Sequence, residues 1–197
     1  MQGQDDGTAR RRGRRRQPSI DARILRTTIE LLSELDADAV TTDEIARRSG
    51  CAKTTIYRRW PSRDALLLEA LRSAIEPHLS DPPAASSPDE AVRAAVDRLA
   101  PLIAGRLFAA TFPVAARHGL AGTSEGRRLG EEALRPLRDA LASSLAATGP
   151  IASGGAPLLA DLVVGGLVVR AISGEPVDEG WTATLAALIA GEPGQPS

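Results

Sequence analysis

Aromatic residues, cysteine and lysine are all scarce in this sequence of 197 residues. It contains two Phe, two Trp, one Tyr and one Cys, and Lys53 is the single lysine among 24 basic residues. One cysteine cannot form an internal disulfide, which suits a reducing compartment. The few aromatic and β-branched residues, set against 34 Ala and 24 Leu, favour helix over sheet. We therefore predict an all-α protein.

Long apolar runs are missing as well. The longest charge-free apolar run near the C-terminus, Leu162–Val169, lies between Asp161 and Arg170. It is far shorter than the roughly 20 residues that span a bilayer. No apolar stretch follows the N-terminal arginines, so the start of the chain is not typical of a secretory signal. We expect a cytoplasmic protein with no membrane span.

The groups on which many enzymes depend are also few. His78 and His118 are the two histidines, no Cys/His set has the spacing of a metal site, and no glycine-rich phosphate loop is present. We therefore expect neither an enzyme nor a bound metal or cofactor.

The basic residues are unevenly distributed, although the net charge is only −1. Six arginines lie within positions 10–16. Such a run repels itself and is typical of a disordered arm whose natural partner is a polyanion. The alternative is a solvated tail that only improves solubility.

Hydrophobic spacing divides the chain into nine predicted helices. In the first, apolar residues recur at intervals of three and four from Ile24 to Leu35. The third is expected to run from Ala52 or Lys53 to Trp60, and the sixth from about Arg106 to Arg117. Hydroxyl side chains suited to helix capping precede several of them: Thr41 or Thr42, Ser62, Ser87, and Thr123 or Ser124.

The segment TDEIARRSGCAKTTIYRRW, residues 42–60, contains a helix-turn-helix pattern. Two short crossing helices need a small residue at their contact, a turn residue that tolerates positive φ, and an apolar residue that fixes the angle. Ala46, Gly50 and Ile56 meet these needs at offsets of four and six. The second helix of the pair would expose hydrogen-bond donors and no acid, which is typical of a surface that binds DNA.

From Arg23 to Leu71 the sequence resembles the DNA-binding domain of the TetR (tetracycline-repressor) family of bacterial transcription regulators. The resemblance rests on ILRTTIELL, TTDEIARRSGC, TTIYRRW and PSRDALL. It implies that Lys53, Thr54 and Thr55 read base edges. It also implies phosphate or backbone contacts for Thr42, Tyr57, Arg59 and Arg63, and we add Arg58 as an exposed donor. Ala52 stands where the family often has a capping serine, so the recognition helix would lack that cap.

The Pro/Ser/Ala-rich stretch SDPPAASS, residues 80–87, marks the clearest boundary in the chain. We predict an arm over 1–18, a helix-turn-helix domain over 19–79 with the fourth helix as a connection, a larger helical domain over 80–191, and a tail over 192–197. The second domain resembles that of the family only in being a longer, divergent helical domain. This resemblance implies that it binds a small molecule and dimerises.

The second domain is expected to hold a pocket for a small hydrophobic ligand. Its candidate lining is Leu102, Arg106, Phe108, Phe112, Arg117, His118, Leu134, Leu137 and Leu141, and each apolar member has core packing as the alternative role. The dimer surface is expected on two apolar C-terminal helices. Its candidate residues are Leu158, Leu159, Leu162, Val163, Gly165, Gly166, Leu167 and Val169, and the alternative is that this helix is central to one protomer's core.

Together these features predict a ligand-responsive transcriptional regulator, a repressor, that binds a palindromic double-stranded DNA operator as a homodimer. Two alternatives stay open from the sequence. One is a DNA-binding regulator with no small-molecule ligand. The other is a helical small-molecule-binding protein that does not bind DNA.

Overall fold

The computed structural model describes residues 19–79, 85–148 and 155–190, and these residues are helical apart from short connections, with no strand among them. The predicted all-α fold is confirmed. The arginine-rich stretch 10–16 and the tail 192–197 lie outside the described residues, as does most of the stretch 80–87. The predicted domain boundaries therefore stay predictions.

The described residues form nine α-helices, numbered in chain order. They are α1 (Ile20–Glu34), α2 (Thr42–Ser49), α3 (Lys53–Tyr57), α4 (Arg63–Leu79), α5 (Pro88–Ile103), α6 (Arg106–Leu120), α7 (Ser124–Ala147), α8 (Gly155–Ser173) and α9 (Glu179–Ala190), with a 3₁₀ turn at Ala37–Ala39 before α2.

Two helix ends differ from the prediction. The recognition helix α3 ends at Tyr57 and not at Trp60, because the chain tightens ahead of Pro61 and the backbone N–H of Arg59 donates to the Ile56 carbonyl at 2.9 Å. In contrast, α6 continues past Arg117 to Leu120. The helix starts agree better, since Thr41, Ser62, Ser87 and Thr123 each accept a hydrogen bond at 3.0–3.2 Å from the backbone N–H three residues further on.

Helices α1 to α4 surround one apolar core, and α6 completes it. Ile45 of α2 and Ile56 of α3 are fully buried there, next to leucines of α1 and α4. Val114 and Ala115 of α6 are 3% and 4% exposed within the same cluster. The helix-turn-helix therefore shares its core with a helix from the second half of the chain.

A second apolar core lies between α5, α7, α8 and α9, and both α4, through Leu71 and Ile75, and α6 contribute to it. Phe108 of α6 is buried in it, and its ring stacks on Phe112 with centroids 5.4 Å apart. From α8, the buried side chains include Val163 and Leu167. Since α4 and α6 both contribute to the two cores, they join the two groups of helices mechanically.

Helix α8 is long and apolar enough to span a membrane by length and composition alone. The mean hydropathy of its most apolar 18 residues is 1.7, and 22% of these residues are buried. Helices α5 and α6 taken together are also long and apolar enough, but they are bent by 85° relative to each other. Core helices of soluble proteins meet the same condition. Asp161 and Arg170 of α8 form ion pairs with Arg138 and Glu175, and its inner face packs into the core described above.

Candidate DNA interface

The turn between α2 and α3 has the geometry that the sequence pattern requires. Gly50 adopts the left-handed conformation with φ of 65°, where a side chain would be strained. The backbone N–H of Cys51 then donates to the Ala46 carbonyl at 3.1 Å. With Ile45 and Ile56 both in the core, the angle between the two helices is fixed, and the opposite side of α3 faces outwards.

Most of the predicted DNA contacts on α3 lie on that outer side. Lys53, Thr54 and Arg58 are exposed, and Tyr57 is 52% exposed. Thr55 is half-buried beside them. As expected, the side chain of Ala52 provides no cap at the start of α3. The helix therefore presents two cations, a hydroxyl and a phenol on one surface, all of which can donate hydrogen bonds.

Two predicted DNA contacts are held by acidic side chains of neighbouring helices. Lys53 pairs with Asp43 in the first turn of α2. Arg59 pairs with Asp21 at the start of α1, and it also donates to the Thr55 carbonyl at 3.2 Å. Sequence reasoning did not identify either acid as a partner, because each lies on a different helix from its cation.

Thr42 and Arg63 lie further inside than the resemblance implied. Thr42 begins α2, but it is only 7% exposed, and Thr41 provides the cap. Arg63 donates through Nε to the Val40 carbonyl at 2.7 Å and through a second nitrogen to the Ala37 carbonyl. It thereby ties the start of α4 to the loop that precedes α2.

Beside Arg63, the Asp64 carboxylate joins α4 to α6. Its Oδ2 lies 2.7 Å from Arg117 Nη2 and 2.9 Å from His118 Nε2, and Arg63 Nη1 lies 3.2 Å from Oδ1. Burial alone would raise the pKa of Asp64, but the hydrogen bonds from His118 and Arg117 and the charges of Arg117 and Arg63 outweigh burial and lower it. Asp64 is therefore an ionised anchor between the two groups of helices.

A cleft of about 440 Å³ opens between the C-terminal half of α6 and the N-terminal half of α7. Its wall is almost entirely apolar, with Phe112, Ala115 and Leu134 among the lining residues. Charged side chains also contribute to the wall: Arg127, Glu131 and Arg138.

The predicted pocket residues are divided between this cleft, the core and the surface. Phe112 and Leu134 line the cleft. Phe108, Leu137 and Leu141 are buried in the second core, and Leu102 packs against it. Arg117 and His118 bind Asp64 instead, and Arg106 lies near Glu34 and Asp36 beyond the end of α1.

A larger cleft of about 510 Å³ lies between α5 and the start of α9. None of the predicted pocket residues lines it. Its wall includes Asp97, Asp178 and Glu179. This cleft is therefore acidic, whereas the cleft between α6 and α7 is apolar.

The predicted dimer residues on α8 point in two directions. Leu158, Leu162 and Val169 are exposed, whereas Val163 and Leu167 are buried in the protomer's own core. Gly166 faces Trp181 of the same chain, since a Cβ added there would lie 3.0 Å from the indole ring. Ile172 of α8 and Leu188 of α9 lie on the two helices expected to form the dimer surface, although neither was among the candidate residues, and both are exposed. Because α8 is apolar on most sides, its sequence does not show which side faces solvent.

Comparison with known proteins places this geometry in a family. The family model described as "Bacterial regulatory proteins, tetR family" matches residues 24–70. An uncharacterised HTH-type transcriptional regulator of Bacillus subtilis, YdeS, is 35% identical over 82 residues, which are 42% of this chain and 41% of that protein. The match thus covers less than half of this relative's length.

Solved structures share the fold over most of the chain. The TetR family transcription regulator SCO0332 has a TM-score of 0.72 at 20% identity, covering 90% of this chain and all of that one. A TetR transcriptional regulator from Rhodococcus sp. RHA1 has a TM-score of 0.68 at 21% identity, covering 88% and 96%. At such identities the likeness shows the fold.

The turn between α2 and α3 has helix-turn-helix geometry, and the fold is that of solved transcriptional regulators. Residues 24–70 are thus similar to the helix-turn-helix domain of TetR family regulators, and the chain shares the fold of solved members of that family. YdeS and both structural neighbours are transcriptional regulators, in agreement with the class of protein that the sequence predicts.

Proposed function

We propose that this protein is a cytoplasmic, ligand-responsive repressor that binds a palindromic DNA operator as a homodimer. The observation that carries the proposal is the outer surface of α3, where Lys53, Thr54, Tyr57 and Arg58 are exposed together. No acid belongs to α3, so these donors can face the acceptors of a major groove.

Roles within this surface follow from position. Lys53 and Thr54 at the start of α3 would read base edges, with Thr55 beside them. Tyr57 and Arg58 lie near its C-terminal end and would contact phosphates. Arg59 would contact a phosphate after its ion pair with Asp21 breaks. Thr42 and Arg63 would hold α2 and the loop before it in position behind the DNA-contacting surface.

The homodimer is supported by the exposed apolar side of α8. Leu158, Leu162, Val169 and Ile172 recur along one stripe, with Gly165 at its centre. Nothing in the protomer lies within 4 Å of a Cβ added at Gly165. A second copy placed on this stripe would cover it, and a dimer would carry the two recognition helices that a palindrome with half-sites about 34 Å apart requires.

Ligand binding is supported by the cleft between α6 and α7. Its volume lies within the roughly 300–1,000 Å³ typical of small-molecule sites. The apolar wall suits a hydrophobic molecule, and Arg127 suits an anionic group on it, whereas Arg138 is paired with Asp161. FadR of Bacillus subtilis, which shares the fold with a TM-score of 0.54 at 15% identity, was solved in complex with stearoyl-CoA.

Selection of DNA from a random duplex library by the full chain tests the proposal. We expect an inverted repeat to be enriched and bound by a dimer, and Lys53→Ala to lose the preference at particular bases. Failure to enrich any sequence would instead favour a small-molecule-binding protein that does not bind DNA.

A thermal-shift screen with fatty acids of increasing chain length tests the proposed ligand binding. We expect at least one fatty acid to stabilise the protein and to release the selected DNA. If no fatty acid releases the DNA, the protein is a regulator without a ligand of this class.

A further inference from the structure

The first turn of α1 is joined to both ends of the recognition helix α3. Arg23 donates through Nη2 to the sulfur of Cys51 at 3.2 Å, and Cys51 lies two residues before α3 begins. Asp21 pairs with Arg59, which lies two residues after α3 ends. Since α3 has only five residues, and is therefore about 7.5 Å long, this turn of α1 lies alongside it.

The guanidinium group of Arg23 is exposed at this junction and only weakly held. Its contact with Cys51 uses one of the three guanidinium nitrogens. A cysteine sulfur is a weak acceptor, whereas a phosphate oxygen forms a short, charge-assisted bond with arginine. A phosphate can therefore replace Cys51 as the acceptor at small cost.

Two other cations beside α3 already have acidic partners. Lys53 pairs with Asp43, and Arg59 pairs with Asp21. In the parts of the chain that the structure describes, no carboxylate pairs with Arg23. Arg23 can therefore bind an anion without first losing an ion pair, which Lys53 and Arg59 cannot do.

The position of Arg23 suits the backbone of DNA and not its bases. A helix that enters the major groove, which is about 12 Å wide, has phosphates on either side of it at the edges of the groove. Arg23 lies beside the start of α3 but belongs to α1, so it would meet such an edge. Sequence reasoning did not include it among the DNA contacts, because its bond to Cys51 joins positions 28 residues apart.

We propose that Arg23 of α1 binds a backbone phosphate at the edge of the groove that α3 reads, so that α1 is a second DNA-contacting element of this protein. This inference rests on the proposed function, since it adds a contact to the same interface. Arg23 then contributes affinity for every sequence and helps to fix the position of α3 on the duplex, but it adds no preference for a base.

Neutral phosphate analogues test the proposal. A methylphosphonate, which has no charge, is placed at one backbone position after another of the selected duplex, and fluorescence anisotropy gives the affinity of the full chain for each duplex. We expect one position beside a half-site to weaken binding of the wild type by about tenfold and binding of Arg23→Gln by less than about twofold. If every position weakens both proteins by the same factor, the proposal is wrong.

The salt dependence of binding provides an independent measurement. Loss of one phosphate contact reduces the slope of log affinity against log salt concentration by about one. Arg23→Gln should show this smaller slope, and Arg23→Lys, which keeps the charge, should retain the slope of the wild type. A merely structural role for Arg23 would lower affinity without changing the slope, and that outcome would overturn the proposal.

Two other arginines provide matched controls. Arg26 is exposed on α1 three residues further from its start, and Arg93 of α5 pairs with Asp89 at 2.9 Å. Arg26→Gln and Arg93→Gln remove the same charge as Arg23→Gln, but both should leave the slope and the methylphosphonate profile unchanged. An equal loss of slope in Arg26→Gln would show a general effect of charge on α1 and would contradict the specific role of Arg23.

The selection experiment distinguishes failure of this inference from failure of the proposed function. If the wild type enriches an inverted repeat but no phosphate position is coupled to Arg23, this inference alone is wrong. If it enriches no sequence, the proposed function fails, and Arg23 is tested by the salt slope on a duplex of mixed sequence. An unchanged slope in Arg23→Gln then refutes the inference, and binding to no duplex even at low salt refutes both.

Discussion

The ammonium group of Lys53 pairs with the carboxylate of Asp43, so the first residue of the recognition helix is joined to the first turn of α2. Both side chains are more than half exposed. An exposed pair of this kind adds little to stability, so a duplex can replace Asp43 at small cost. The same carboxylate nevertheless places a negative charge where phosphates approach.

Substitution at this pair should separate base reading from general attraction. Lys53→Ala is expected to cost about 1–3 kcal/mol on the selected duplex and to relax the preference at particular positions. Asp43→Asn should strengthen binding to every sequence by less than about 1 kcal/mol, because it removes a repulsive charge. Anisotropy titrations on single-base variants provide the measurement. Uniform weakening by Lys53→Ala would instead assign Lys53 to phosphate.

Arg63 and Arg58 should respond differently to replacement by alanine. Arg63→Ala removes the side-chain donor to the Val40 carbonyl and one of two donors to the Ala37 carbonyl, which also accepts from the Val40 N–H, and should lower the free energy of unfolding by about 1–3 kcal/mol. Arg58 is exposed and its guanidinium has no partner within the described parts of the chain, so Arg58→Ala should leave stability unchanged and reduce the salt slope of DNA binding by about one. Urea denaturation and salt titration distinguish them, and the reverse pattern would contradict the internal role of Arg63.

Asp64 should contribute to acid stability. Because its folded-state pKa lies below that of the unfolded chain, about 3.9, its stabilisation is fully present well above that value and is lost as pH falls through the lowered pKa. The unfolding free energies of the wild type and Asp64→Asn should therefore differ most near neutral pH and converge below about pH 4. Urea melts at several pH values test this, with Asp89→Asn as control. A difference that is constant down to the lowest pH would show that the charge of Asp64 is not responsible.

The exposed stripe of α8 should be necessary for self-association. Leu162→Glu places a charge in the middle of the stripe and should yield a folded monomer at micromolar concentration. Leu120→Glu introduces the same charge at an exposed leucine of α6 and should leave the dimer intact. Sedimentation velocity measures both. If the wild type is a monomer, the dimer proposal is wrong. If Leu162→Glu is still a dimer, the interface lies outside this stripe.

Arg23 should increase the thiolate fraction of Cys51 at neutral pH. Burial raises the pKa of Cys51, but the hydrogen bond from Arg23 at 3.2 Å and the charges of Arg23 and Arg59 outweigh burial and lower it. Arg23→Gln should therefore slow iodoacetamide alkylation at neutral pH and shift its pH profile upwards. Identical profiles for the two proteins, with equal rates after denaturation, would show that Arg23 does not stabilise the thiolate.

Local signals in the sequence were sufficient for the helices and the turn. Ser87 and Thr123 cap the helices that follow them, and Gly50 takes the left-handed conformation, because capping and positive φ depend on neighbouring residues alone. Burial of Ile45 and Ile56 follows from the same short pattern. The helix-turn-helix was therefore predictable without knowledge of the rest of the chain.

Partners that are distant in sequence were not predictable in this way. Arg117 and His118 were assigned to a pocket because they follow its apolar residues, yet they bind Asp64, more than fifty positions earlier. A single sequence contains no signal that pairs such positions. For Val163 and Leu167 the obstacle was different. Helix α8 is apolar on most of its circumference, so periodicity does not distinguish its inner side from its outer one.

The burial of Val114 and Ala115 among the N-terminal helices limits how this protein can evolve. Residues 19–79 taken alone would expose the apolar patch that these two side chains cover, and such a patch invites aggregation. The N-terminal half is thus not a portable module. An exchange that joins it to a foreign effector domain therefore has to bring an α6 of matching shape.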